Sequence, residues 1–356
     1  MFSGAFTALI TPFRNGEVDV EALEGLVEFQ IKGGVSGLVP CGTTAETPAL
    51  SEAEDRLVIE TVVRVAAGRV AVIAGTGSNS TDMAIKYTKM AEEAGADGSL
   101  QVAPYYNKPT QEGLYRHFAA IAENTSLPLV LYNIPGRTGV TVSAETTARL
   151  AEVPNIVGTK EATHSMDMAS DVRRLCGEEF AILSGDDSLT LPIMSLGGNG
   201  VISVASNVAP AAVSEMVAAL LNGDFERGRE LHYELLPLFR ALFVETNPIP
   251  VKAAASLLGL CSDEMRLPMV PLADDNLAKL REVMETVPHL LPTPKRSSRA
   301  VADAVRVAVI GAAGRMGREL CRAALETEGV ELVGVPSSPR HPSSAPTSAS
   351  SRAPAE

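Results

Sequence analysis

Between Ala5 and about Asn222, short runs of apolar and β-branched residues alternate with longer stretches in which apolar positions recur every three to four residues. The short runs read as strands buried on both faces, the longer stretches as helices with one apolar side. The expected strands are Ala5–Thr11, Gly37–Cys41, Val70–Gly75, Gly98–Ala103, Leu129–Asn133, Asn155–Lys160, Phe180–Ser184 and Gly200–Val204. About eight strands, each followed by a helical stretch, predict a closed α/β barrel of the (β/α)8 TIM type over residues 1–223. Helix starts are legible too. Ser51 followed by Glu54 makes a capping box, and Ser143 before Ala144-Glu145 offers a second N-cap. From Asp224 the strands stop and helical periodicity continues, as in Glu230-Leu231-His232-Tyr233-Glu234-Leu235-Leu236. A helical C-terminal extension over 224–291 is expected.

The pattern then changes. Residues 292–304 are polar and proline-bearing and read as a linker. Val305–Ile310 is a candidate strand, followed by a G-A-A-G-R-M-G turn carrying Gly311, Gly314 and Gly317. A helical run from Arg318 to Leu325 and a second strand, Val330–Val335, complete one β-α-β unit of an incomplete Rossmann-like fragment over 305–335. One such unit cannot cover both faces of its strands, so no working dinucleotide site is expected at the three glycines. The remainder, 336–356, is dominated by serine, proline and alanine and is expected to be a disordered tail.

Composition narrows the function classes. Apolar residues make up 46% of the chain and charged ones 21%, which fits a sizeable buried core. A net charge of −13 argues against nucleic acid or an anionic membrane as partner. No apolar run is long enough for a bilayer, and Met1 to Phe6 lacks a secretory pattern, so a cytoplasmic location is expected. Cys41, Cys176, Cys261 and Cys321 show no CxxC spacing, and the five histidines are scattered. No metal site and no cofactor are expected.

The candidate chemistry sits where strands end. Tyr132 closes the fifth strand, in Y-N-I-P-G-R-T-G, and Lys160 closes the sixth, in G-T-K-E-A-T. Taken alone, Lys160 is more often a strand-end lysine reaching solvent or pairing with Glu161. Likewise Cys41-Gly42-Thr43-Thr44-Ala45-Glu46-Thr47 is more often an ordinary turn, and Tyr105-Tyr106 between prolines more often packing. The constellation changes this. Strands two, four, five and six all place reactive side chains on the edge of the barrel where catalysis occurs in this fold. A lysine amine there can attack a ketone and form an imine, with a phenol moving protons. An amine free in water titrates near ~10.4, and apolar burial favours its neutral, nucleophilic form.

G-T-T-A-E-T, P-Y-Y-N-K-P, Y-N-I-P-G-R-T-G, G-T-K-E-A-T, L-S-G-D-D and G-V-I-S-V stand in an order and spacing that resembles the dihydrodipicolinate synthase family, over residues 1–291. That resemblance implies a lyase that condenses pyruvate with aspartate semialdehyde toward lysine and diaminopimelate. Position by position, it implies that Lys160 forms the imine and that Tyr132 donates and accepts protons. Thr43 and Tyr106 would complete a proton relay, with Tyr106 serving a neighbouring subunit. Thr44 would hold the pyruvate carboxylate, Gly185 and Ile202 would line the pocket, and Arg137 would meet the semialdehyde carboxylate. A homotetramer built as a dimer of dimers is implied as well. Another pyruvate-dependent aldolase, such as an N-acetylneuraminate lyase or a keto-deoxy sugar-acid aldolase, would share the lysine and tyrosine; Thr43, Thr44, Tyr106 and Arg137 favour the small carboxylated aldehyde.

The chain also departs from the family pattern. Ala45 stands where glycine is usual. Of the positions that form the family's lysine-feedback site, Asn79 and Tyr105 match and Thr47 is close, but Glu52, Asp55 and Met83 replace the usual residues. Weak or absent inhibition by lysine is therefore expected. The 305–335 fragment resembles the start of dihydrodipicolinate reductase, with G-A-A-G-R-M-G as its fingerprint, and reads as a vestigial or artefactual fusion, such as a frameshift into the tail, without reductase activity.

Overall fold

The computed structural model describes residues 2–292, together with the strands Val305–Ala308 and Val330–Gly334. Eight parallel strands form a closed barrel: β1 (Gly4–Ala8), β2 (Gly37–Val39), β3 (Ala71–Gly75), β4 (Gly98–Val102), β5 (Leu129–Asn133), β6 (Ile156–Glu161), β7 (Ala181–Ser184) and β8 (Gly200–Ser203). Each pairs with its sequence neighbour, and β1 closes the ring against β8 through Gly4–Gly200, Ala5–Val201, Phe6–Ile202 and Thr7–Ser203. Almost every strand residue is buried, as expected for strands covered by side chains inside and helices outside.

The strands are shorter than the apolar runs suggest. The first run continues to Thr11, but the strand stops at Ala8. There the Asn207 side chain takes over as pairing partner, donating to the Ala8 carbonyl at 2.7 Å and accepting from the Ile10 amide at 3.1 Å. A small antiparallel hairpin, Phe13–Arg14 with Glu17–Val18, follows; the apolar pattern gave no sign of it. Both expected caps are present. Ser51 and Glu54 form the reciprocal capping box of the Glu52–Ala66 helix, and the Ser143 side chain caps Ala144–Ala151.

Phe6, Val39, Ile73, Leu100, Val130 and Ile202 fill the barrel interior. The extension forms three helices, Phe225–Ala241, Ile249–Leu257 and Asp274–Thr286. Leu231, Leu235, Leu238, Val251 and Leu280 from these helices share one core with Val201, Val208 and Val213 of the barrel. The extension is thus continuous with the barrel's own packing. By internal contacts residues 1–295 form one unit and 296–356 another. In the second, Val305–Ala308 and Val330–Gly334 pair in parallel, with an irregularity at Val307/Ala308. Gly311, Gly314, Gly317 and the expected tail over 336–356 lie outside the described residues.

Candidate active site

β5 and β6 are paired so that Tyr132 and Lys160 are direct partners. Both are 5% exposed, so Lys160 does not reach solvent as a lone strand-end lysine would. Its Nζ lies 4.2 Å from the centre of the Tyr132 ring, a cation–π contact. Gly185, just past β7, leaves room for it. A Cβ at that position would stand 2.7 Å from the Ala162 Cβ and 3.3 Å from the Lys160 Cε. Any larger residue would therefore clash with Ala162 and crowd the lysine. Ile202 on β8 is fully buried and belongs to the same interior cluster as Tyr132, Ala162 and Leu183.

The turn after β2 is strained at both ends. Cys41 and Glu46 are held at φ +55° and +58°, a left-handed conformation that costs free energy for residues with a side chain. Between them Thr43–Ala45 forms a single 3-10 turn, braced by the Thr47 hydroxyl donating to the Gly42 carbonyl at 2.9 Å. Thr44 is buried, and its hydroxyl accepts from the Asn247 side-chain amide at 3.0 Å. Arg137, on the Pro135–Thr138 turn after β5, donates through Nη2 to the Asn247 carbonyl at 3.0 Å. Asn247 is the residue that sequence reasoning missed. It lies in the helical extension, 203 residues beyond Thr44, where nothing in the local pattern marks it.

Thr43, Tyr132 and Arg137 line one cavity of 420 Å³. Thr47, Asp55, Met83 and Tyr105, four of the positions singled out for feedback, line the same cavity. Burial, aided by the charges of Glu54 and Glu52, pushes the Asp55 carboxyl up to about 7 against a lowering interaction with Cys41. One of its oxygens has no hydrogen-bond partner. Burial likewise holds the neighbouring Cys41 thiol well above its ordinary range, with the charge of Asp55 adding to the effect. Tyr106 stands apart from the cavity. It is 89% exposed at φ +72°, in a loop where Lys108 is also left-handed. A bulky residue in that region is a true outlier and points to function.

Acidic groups gather beside the lysine. Asp186 follows Gly185, with a carboxylate oxygen 2.9 Å from His164 Nε2. Burial raises its pKa, and the charges of His164 and Lys160 pull the other way. Burial raises the Glu161 carboxyl too, although one of its oxygens accepts from the Thr163 amide at 2.7 Å. Among the described residues, no group of three or more His, Cys, Asp or Glu side chains is placed to hold a metal ion.

A buried lysine packed on a tyrosine at the carboxyl ends of adjacent strands defines a (β/α)8 lyase of the imine-forming, class I aldolase type. Residues 1–287 match the dihydrodipicolinate synthetase family, and the chain belongs to it. A 4-hydroxy-tetrahydrodipicolinate synthase from Citrifermentans bemidjiense is 55% identical over 285 residues, covering 80% of this chain and 98% of its own. The crystal structure of dihydrodipicolinate synthase from Aquifex aeolicus superimposes with a TM-score of 0.81 at 52% identity, over 83% of this chain and 100% of that one. A chloride-inhibited dihydrodipicolinate synthase from Acinetobacter baumannii, solved with pyruvate, superimposes with a TM-score of 0.80 at 45% identity, over 81% and 99%. Separately, residues 305–351 match the N-terminus of dihydrodipicolinate reductase. That match runs past Val335 into the serine- and proline-rich stretch.

Proposed function

We propose that this chain condenses pyruvate with L-aspartate 4-semialdehyde through an imine on Lys160, giving 4-hydroxy-tetrahydrodipicolinate for lysine and diaminopimelate biosynthesis. The observation that carries this reading is the pairing of Lys160 with Tyr132, both buried and 4.2 Å apart, in a chain of this family. The Lys160 amine attacks the ketone of pyruvate, and loss of water leaves the imine. The imine withdraws electrons, so the methyl carbon loses a proton and becomes the enamine carbon that attacks the aldehyde. Tyr132 carries protons in these steps, relayed through Thr43 and through Tyr106 of a neighbouring subunit.

The polar contacts suit the substrate roles. The Thr44 hydroxyl already accepts from Asn247, so its own hydrogen is available to the pyruvate carboxylate. Arg137 spends one donor on the Asn247 carbonyl and keeps the rest of its fork for the semialdehyde carboxylate. Gly185 and Ile202 shape the space beside the imine. The exposed Tyr106 fits a homotetramer built from dimers. Among the described residues no helix is long and apolar enough to cross a membrane, and a cytoplasmic location accords with the biosynthetic role.

Treating the chain with pyruvate and borohydride is expected to fix pyruvate's carbon skeleton on Lys160, and Lys160→Ala to abolish both labelling and semialdehyde-dependent pyruvate consumption. Labelling elsewhere, or activity retained in that variant, would overturn the assignment. Sugar-derived aldehydes serve as the control substrates.

A further inference from the structure

A fully buried lysine and its carboxylate partner lie apart from the imine lysine. Lys252, on the Ile249–Leu257 helix, is 0% exposed, and its Nζ is 2.6 Å from Oε1 of Glu46, whose side chain is 2% exposed. Glu46 ends the same turn that carries Thr43 and Thr44, in the left-handed conformation noted above. Its second oxygen accepts from the Arg266 amide at 3.1 Å. Lys252 and Arg266 also lie over the Phe13 ring, at 4.0 and 4.3 Å. Replacing a buried ion pair by apolar side chains is often neutral or stabilising, so stability is a weak reason for this one. Geometry is a better reason. The pair clamps one end of the turn, while a few residues earlier Asn247 bonds Thr44 with its side chain and Arg137 with its carbonyl.

We propose that Asn247 and Lys252 are positioning residues for the condensation: the C-terminal extension sets the place of the carboxylate-binding turn and of Arg137. This rests on the substrate roles proposed above. Its logic is mechanical. The turn has two strained residues and is bonded at two points, Thr44 and Glu46, to one short segment, so the two substrate carboxylates are held at a spacing that the extension dictates.

The two contacts of Asn247 can be separated. Asn247→Ala removes the bond to Thr44 but keeps the backbone carbonyl for Arg137. We expect its KM for pyruvate to rise about 5- to 10-fold, the worth of one hydrogen bond, with the KM for semialdehyde unchanged. Glu46→Gln combined with Lys252→Met removes both buried charges without orphaning either. It is expected to keep the parent's melting temperature within a few degrees, raise the pyruvate KM and lower kcat. Lys252→Arg, which keeps the ion pair, should recover part of the loss. Parental kinetics in both Asn247→Ala and the double variant would overturn the proposal. So would losses of both substrates' kcat/KM that merely track the fraction of folded protein. If pyruvate and borohydride fail to label Lys160 in the unaltered chain, the underlying reading falls and the proposal falls with it. Labelling there, with unchanged pyruvate KM in the variants, defeats the proposal alone.

Discussion

Asp55 is a residue whose environment has a measurable consequence. An aspartate in an unfolded chain titrates near ~3.9, whereas burial raises Asp55 to about 7 in the folded protein. The folded state therefore holds its proton when the unfolded state has lost it. The contribution of this carboxyl to stability therefore falls as pH rises from about 4 through about 7, and levels off above that. Asp55→Asn, which cannot ionise, should match the parent near pH 4 and melt progressively higher than it up to neutral pH, by roughly 2–4 °C for each kcal/mol of penalty. A melting gap independent of pH would show that the carboxyl is not neutral when buried. Two other positions bear on regulation. Met83 brings no charge to the cavity, and Glu52 is exposed and ion-paired with Lys86 at 2.5 Å. Lysine is thus expected to inhibit weakly or not at all, and a dose-response curve with strong inhibition at low lysine would contradict this.

At the scale of elements, the loops at the strand ends carry the strain and the strands carry the precision. Lys160 and Tyr132 sit on paired strands, while the Cys41–Thr47 turn and the Tyr106 loop contain residues forced to positive φ. Loops held this way keep their shape only when something outside them overdetermines it. For the first loop, the extension supplies that support. The second exposes Tyr106, which accords with the role proposed for it in a neighbouring subunit's site. Tyr106→Phe alone is expected to lose about 100-fold or more in kcat, as for loss of a proton-transfer group. Mixed assemblies of Tyr106→Phe with Lys160→Ala chains should then regain activity, since a site with Lys160 intact borrows the tyrosine of its partner. No recovery on mixing would mean that Tyr106 serves its own subunit or none.

For the molecule as a whole, the site residues and the cores that place them all lie before residue 292. A chain ending at Pro292 is expected to keep full condensing activity and the parent's melting behaviour. The intact chain is expected to show no NADPH oxidation with the condensation product. The match to the reductase covers only that enzyme's N-terminus, over residues 305–351. Oxidation above the rate of the shortened chain would instead make the 305–351 match a working module.

Much of this protein is written locally. Apolar runs bounded by Gly, Pro and Asn fix eight strands because a strand buried on both faces tolerates little else, and Ser51 and Ser143 announce helices by chemistry confined to one turn. Lys160 and Tyr132 were legible as well, because strand-end position is a matter of counting along the chain. Tertiary structure decided what depends on distant segments meeting. Asn207 pairing with the end of β1, Asn247 joining Thr44 to Arg137, and Lys252 pairing with Glu46 are contacts across 110 to 206 residues. No periodicity encodes them, because a single polar contact leaves no repeating mark on the sequence around it; closure of the barrel brings Asn207 to the first strand, and packing of the extension against the barrel brings the others together.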